Sequence, residues 1–182
     1  MKRDRLTTLR VVVAAALLGL VGHACSAPVA DDRTVVHAPG SKPFALVGVM
    51  LDRRCGTLDC HGSMQRNFRL YGYAGMRLQD PDLPGASDTT AAELEENYRS
   101  VVGLEPEIMT QVVHEGGAHP ERLTLLRKAR DAEFHLGGQL FNVGDDQDVC
   151  LTSWLAGAVD NAACIRGINS IDPLVTPVTA TP

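Results

Sequence analysis

An apolar segment of the chain runs into Cys55-Gly56-Thr57-Leu58-Asp59-Cys60-His61-Gly62. Two thiols lie close together, and an imidazole follows the second directly. That order meets the needs of covalent haem attachment: two thiols to add to the haem vinyl groups and a neighbouring imidazole to ligate the iron. The usual spacing leaves two residues between the cysteines, whereas four stand here. The same residues admit a plainer reading, a Cys55–Cys60 disulfide beside a surface histidine, and the cysteine count alone does not choose.

The N-terminus bears on the compartment. Lys2, Arg3, Arg5 and Arg10 precede an apolar run from Val11 to Val21. A run of about 11 residues is too short to span a bilayer and has the length and flanks of a secretory signal core. Gly22-His23-Ala24-Cys25 then sets small residues ahead of a cysteine, as at a bacterial lipoprotein cleavage site. Residues 1–24 are therefore expected to be a signal peptide and Cys25 a lipidated residue. Ser26 after the cysteine, by resemblance to Gram-negative lipoproteins, directs the anchor to the outer membrane, facing the periplasm. Simple secretion to the periplasm after cleavage at Ala24 or Ala27 is the alternative.

Removing 24 of 182 residues leaves 158, and removing their net +3 takes the formal charge from −5 to −8. So acidic a chain is not built to bind nucleic acid, which requires clustered positive charge. It leaves open a protein partner. With Cys25 set aside, four cysteines remain, as suits an oxidising compartment. Cys150 and Cys164 are expected to form a disulfide, worth roughly 3 kcal/mol for a loop of about 15 residues on the chain-entropy model.

Residues 25–43 read as a tether rich in Pro, Gly and Asp, and residues 169–182 as a flexible tail. Between them, residues 44–168 are enough for one small domain. Phe44 to Arg54 predicts a helix with Leu46, Val47, Met50 and Leu51 on one face. Ser87, Asp88 and Thr90 offer N-cap oxygens for a helix over Ala91–Val102. Glu105-Pro106 opens a segment that ends at Gly116-Gly117. Leu123–Leu126 is a short apolar stretch, and Asp146 or Asp148 opens a last helix that stops at Gly157. Residues 62–86 and 131–145 read as irregular. The expected class is mainly α, with long loops. Only eight aromatic residues are present, so a bound haem would supply apolar surface that the sequence otherwise lacks.

The downstream order adds to the motif. Gly75-Met76-Arg77-Leu78, Leu125-Leu126-Arg127-Lys128, His135-Leu136-Gly137-Gly138, Trp154-Leu155 and Gly157-Ala158 follow one another. Together with Cys55, Cys60 and His61, this resembles the small cytochrome-c-like helical domains abundant in planctomycetes and found in other environmental bacteria. Gly48 and Leu51 ahead of Cys55, and Gly62 after His61, are similar to the haem-bearing helix of soluble cytochromes c. Some multihaem cytochromes also space their haem cysteines by four residues. The resemblance covers roughly residues 48–158. It implies one covalent haem c on Cys55 and Cys60, with His61 as proximal ligand, single-electron transfer to a redox protein partner, and no substrate chemistry. Among Met64, Met76, Met109, His114, His119 and His135 as distal ligand, His135 is favoured because it falls on the histidine of the family's glycine loop.

Trp154 and Leu155 are read as core. Arg66, Arg69 and Arg77 are read as solvated or paired with haem propionates, and Glu93, Glu95 and Glu96 as solvated on a helix surface. A zinc site drawing on Cys55, Cys60, His61, His114 and His119 matches no common ligand spacing. The reading of another class is a haem-free, disulfide-stapled secreted lipoprotein acting as a binding or structural module.

Overall fold

A computed structural model describes residues 35–79 and 83–171. Among them are six α-helices and no strand: α1 (Phe44–Cys55), α2 (Ala91–Val102), α3 (Pro106–His114), α4 (Thr124–Ala129), α5 (Asp146–Leu155) and α6 (Asn161–Asn169). A 3-10 turn, Pro120–Arg122, precedes α4. The expected mainly α class is what the chain adopts.

The helix ends follow local chemistry. At α2, the Thr90 hydroxyl accepts from the Glu93 backbone while the Glu93 carboxylate accepts from the Thr90 backbone, a reciprocal cap that satisfies two orphan donors. Pro106 opens α3, where its missing N–H costs nothing. Asp146 and Asp148 sit in the first turn of α5, where the helix dipole favours negative charge. Arg53 and Arg54 occupy the last turn of α1, at the opposite pole.

Helix α1 is the hub, packing on α2, α5 and α6, while α5 and α6 pair closely. Its buried face carries Phe44, Val47, Met50 and Leu51, a helical period. Gly48 allows α2 to come close, since a Cβ there would stand 2.7 Å from a Leu94 methyl and 2.9 Å from the Phe44 ring. Trp154 of α5 is fully buried, as expected, with its ring centroid 5.0 Å from that of Phe44 and 6.3 Å from that of Tyr98. Truncating such a residue costs about 3–5 kcal/mol.

Two expectations change, and the expected disulfide holds. The segment expected to be a tether is docked over its last residues: the Tyr98 hydroxyl donates to the Pro39 carbonyl at 2.9 Å and the Trp154 indole to Gly40 at 3.3 Å. Helix α6 lies where no helix was expected, and Asn169 ends it rather than opening a tail. The Cys150–Cys164 disulfide is present and fully buried. It joins α5 to α6, helix to helix. The expected signal peptide, the lipidation site Cys25 and residues 172–182 lie outside the described residues.

Candidate functional site

Cys55 is the last residue of α1, and the four intervening residues form a closed turn. The Cys60 amide donates to the Thr57 carbonyl at 2.9 Å, and the Gly62 amide to the same carbonyl at 3.0 Å. The His61 amide donates to the Cys55 carbonyl at 2.9 Å, so the imidazole is returned to the end of α1. The turn depends on glycine. A Cβ on Gly62 would stand 1.8 Å from the Gly56 carbonyl oxygen, and one on Gly75 would stand 1.9 Å from it. Three backbone strands of the loop region thus meet with no room for a side chain.

His61 is oriented by its surroundings. Its Nδ1 lies 3.0 Å from the Phe68 carbonyl, and its ring packs edge-on against Phe68 at 4.9 Å. A carbonyl only accepts, so Nδ1 carries the proton and Nε2 keeps its lone pair. Burial lowers the His61 pKa. The Phe68 hydrogen bond opposes that, and His135 and Arg66 add to the lowering. The imidazole is therefore neutral at neutral pH, the state that ligates metals.

His135 arrives from the glycine loop after α4. Its Nδ1 lies 3.2 Å from the Gly138 carbonyl, so its Nε2 is free of that bond as well. The His61 and His135 ring centroids are 6.1 Å apart, with the planes inclined by 13°. The near-parallel rings lie within aromatic contact range, and two imidazoles that share one metal ion, each bonded at about 2.0–2.1 Å, reach a similar separation.

Two adjoining clefts share His61, Lys128 and His135 in their walls. One, of about 370 Å³, holds Cys60 and Arg66 and is flanked by Phe134 and Leu136. The other, of about 210 Å³, holds Cys55 against Phe68, Leu104, Leu125, Ala129 and Leu140 and is almost wholly apolar. The two thiols and the two imidazoles thus line two neighbouring clefts. Both thiols are free of disulfides. Burial pushes the Cys55 thiol up to about 12, and the Arg54 charge only partly offsets this.

The other candidates fall elsewhere. His114 packs edge-on against His37 at 4.6 Å, and His119 pairs with Glu121 at 3.1 Å, so neither joins the zinc set expected with Cys55, Cys60 and His61. No group of three metal-binding side chains occurs among the described residues. Met109 is core and Met64 is 74% exposed. Arg66 stays at the cleft, donating to the Asp59 and Cys60 carbonyls. Arg69 is exposed and donates to the Arg66 carbonyl. Arg77 is corrected from a solvated or propionate-pairing role: it is buried against Glu93, at 2.8 Å from Nε and 2.9 Å from Nη2. Glu93 is likewise corrected from a solvated position, while Glu95 and Glu96 stay exposed and pair with Arg99.

Lys128 and Leu136, both within the segments that carry the resemblance, line the site. Phe134 lines it too and was not singled out; its signal was its place directly before His135. Comparison with family models, with curated proteins and with solved structures finds no match for this chain.

Proposed function

We propose that the chain carries one covalent haem c, bound through Cys55 and Cys60, with His61 and His135 as axial ligands, and serves as an exported single-electron carrier. The observation that carries this reading is the histidine pair. Its rings stand 6.1 Å apart in neighbouring walls of the clefts, and each Nδ1 is bonded to a backbone carbonyl. Haem c, when bound, supplies reversible one-electron chemistry at its iron.

The chain's residues supply the rest. Phe68 fixes the His61 tautomer through its carbonyl and braces the ring with its side chain. Gly138 does the first of these for His135. Leu104, Leu125, Ala129 and Leu140 exclude water from one side, which favours a small reorganisation on electron transfer. The partner is a redox protein, and lipidation at Cys25 would hold the carrier on the outer membrane, facing the periplasm.

The test is expression with a haem-c maturation system, followed by intact mass and a pyridine haemochrome spectrum. The expected result is one haem per chain, resistant to acid-acetone extraction, with an oxidised spectrum lacking the sulfur-to-iron band of His–Met ligation. His61→Ala should lose the ligated form. A colourless product in which Cys55 and Cys60 form a disulfide refutes the proposal and leaves a haem-free, disulfide-stapled module. Recovery of the wild type wholly in the soluble fraction refutes the anchor.

A further inference from the structure

His135 is held in an unusual way for a ligand. Its neighbours Phe134 and Leu136 are 78% and 81% exposed, so no apolar packing fixes the loop at that point. The loop is pinned at its ends. The Ala132 amide donates to the Arg127 carbonyl at 2.9 Å, and the Leu140 amide donates to Ala129 at 2.9 Å. Between those pins, the Gly138 amide donates to the His135 carbonyl at 2.9 Å, the His135 ring bonds to the Gly138 carbonyl at 3.2 Å, and Glu133 adds a pair of ionic contacts. The Glu133 carboxylate takes Arg127 Nε at 2.9 Å on one oxygen and Lys128 Nζ at 2.8 Å on the other. Lys128 Nζ also donates to the Phe134 carbonyl at 2.9 Å, one residue before His135. The backbone enters the loop through Asp131 at φ 59° and turns within it at Gly138 at φ 66°, left-handed at both points.

We propose that Glu133 is a positioning residue for the distal side of the site: by bridging Arg127 and Lys128 it holds His135 opposite His61. The inference rests on the reading of the two histidines as an axial pair. All three clamp residues are partly exposed, so the clamp is polar and weak and can be released by salt, unlike the apolar wall behind Cys55. His135 is accordingly the displaceable ligand and His61 the permanent one. With the clamp released, His135 would leave its position, and a small nitrogen donor from solution could take its place on a bound haem.

The experiment compares the full-length wild type with Glu133→Gln, Glu133→Asp and, as a control, Glu115→Gln, which breaks the exposed Arg122–Glu115 pair elsewhere. Two readings are taken. Hydrogen exchange over residues 132–140 should quicken about fivefold in Glu133→Gln, from the loss of two exposed ion pairs. The rate of capture of added imidazole should rise by a similar factor, with a larger high-spin fraction in the oxidised spectrum. Glu133→Asp should recover part of both changes and Glu115→Gln should show neither. In 1 M NaCl the wild type should move toward Glu133→Gln. Unchanged exchange in Glu133→Gln overturns the clamp. Faster exchange with an unchanged imidazole rate overturns the positioning role, because the loop would then loosen without moving the ligand. A chain that carries no haem counts against the functional reading, and the exchange arm then decides the clamp alone.

Discussion

Asp52 offers the sharpest test of the energetics. It lies on α1, three residues before Cys55, and is wholly buried. One carboxylate oxygen accepts from the Thr89 hydroxyl at 2.7 Å and the other from the Ala74 amide at 3.4 Å. Burial raises its pKa from 3.8 to about 6; the bonds from Thr89, Ala74 and Tyr73 pull it down, and Glu93 adds a small upward push. An acid whose pKa is raised on folding binds its proton more tightly in the folded state. The associated stability is present in full below about pH 4 and is lost as pH rises through about 6. A shift of about two units, at 1.36 kcal/mol each, makes the loss about 3 kcal/mol by neutral pH. Asp52→Asn keeps the shape and cannot ionise, and the Thr89 hydroxyl can turn to accept from the new amide. The assay is urea unfolding of disulfide-intact wild type and variant at pH 4, 5, 6 and 7.5. Subtracting one protein from the other removes the carboxylates they share. The variant should match the wild type near pH 4 and exceed it by up to about 3 kcal/mol at pH 7.5. A difference that is constant across pH would refute the reasoning.

Three other outcomes follow from named contacts. Glu93→Gln strips one partner from a pair whose side chains are only 2% and 1% exposed, and should lower the unfolding free energy by about 3–5 kcal/mol in denaturant titration. Replacing Cys150 and Cys164 together by Ala should cost about 3 kcal/mol, and non-reducing peptide mapping of the wild type should link the α5 and α6 peptides. Gly62→Ala must displace the Gly56 carbonyl, which would lie 1.8 Å from the new methyl, so haem staining on a denaturing gel should be lost while the Cys150–Cys164 bond persists.

The sequence showed its elements best where local chemistry decides. Thr90 and Glu93 cap α2, Pro106 opens α3 and acidic residues open α5; each is legible within one turn of chain. Helix α6 was not legible because Asn161, Gly167 and Asn169 give it weak intrinsic preference. What holds it is non-local: the disulfide to α5, and a Gln147 side-chain amide donating to the Gly167 carbonyl at 3.2 Å. Glu93 read as solvated beside Glu95 and Glu96 because the partner that buries it, Arg77, lies sixteen residues earlier in an irregular segment. The docking of Pro39 and Gly40 was hidden for the same reason, since their carbonyls meet Tyr98 and Trp154, far along the chain. His61 and His135 were both legible as candidates. Their separation and the matching bonds at Nδ1 belong to the fold.

The four-residue spacing between Cys55 and Cys60 is the feature that most sets this site apart from the usual two-residue motif, and its energetic weight is small. Lengthening a loop from two residues to four costs about 0.6 kcal/mol in closure entropy. Against that, the longer loop gains the bonds from Cys60 and Gly62 to the Thr57 carbonyl, each worth about 0.5–1.5 kcal/mol net. The deciding constraint is the end point. His61 must return to the end of α1, and its amide does so through the Cys55 carbonyl at 2.9 Å. A ligand motif is therefore better judged by where its last residue is delivered than by the number of residues crossed on the way. By that measure the imidazole stands where a second imidazole, that of His135, already faces the same clefts.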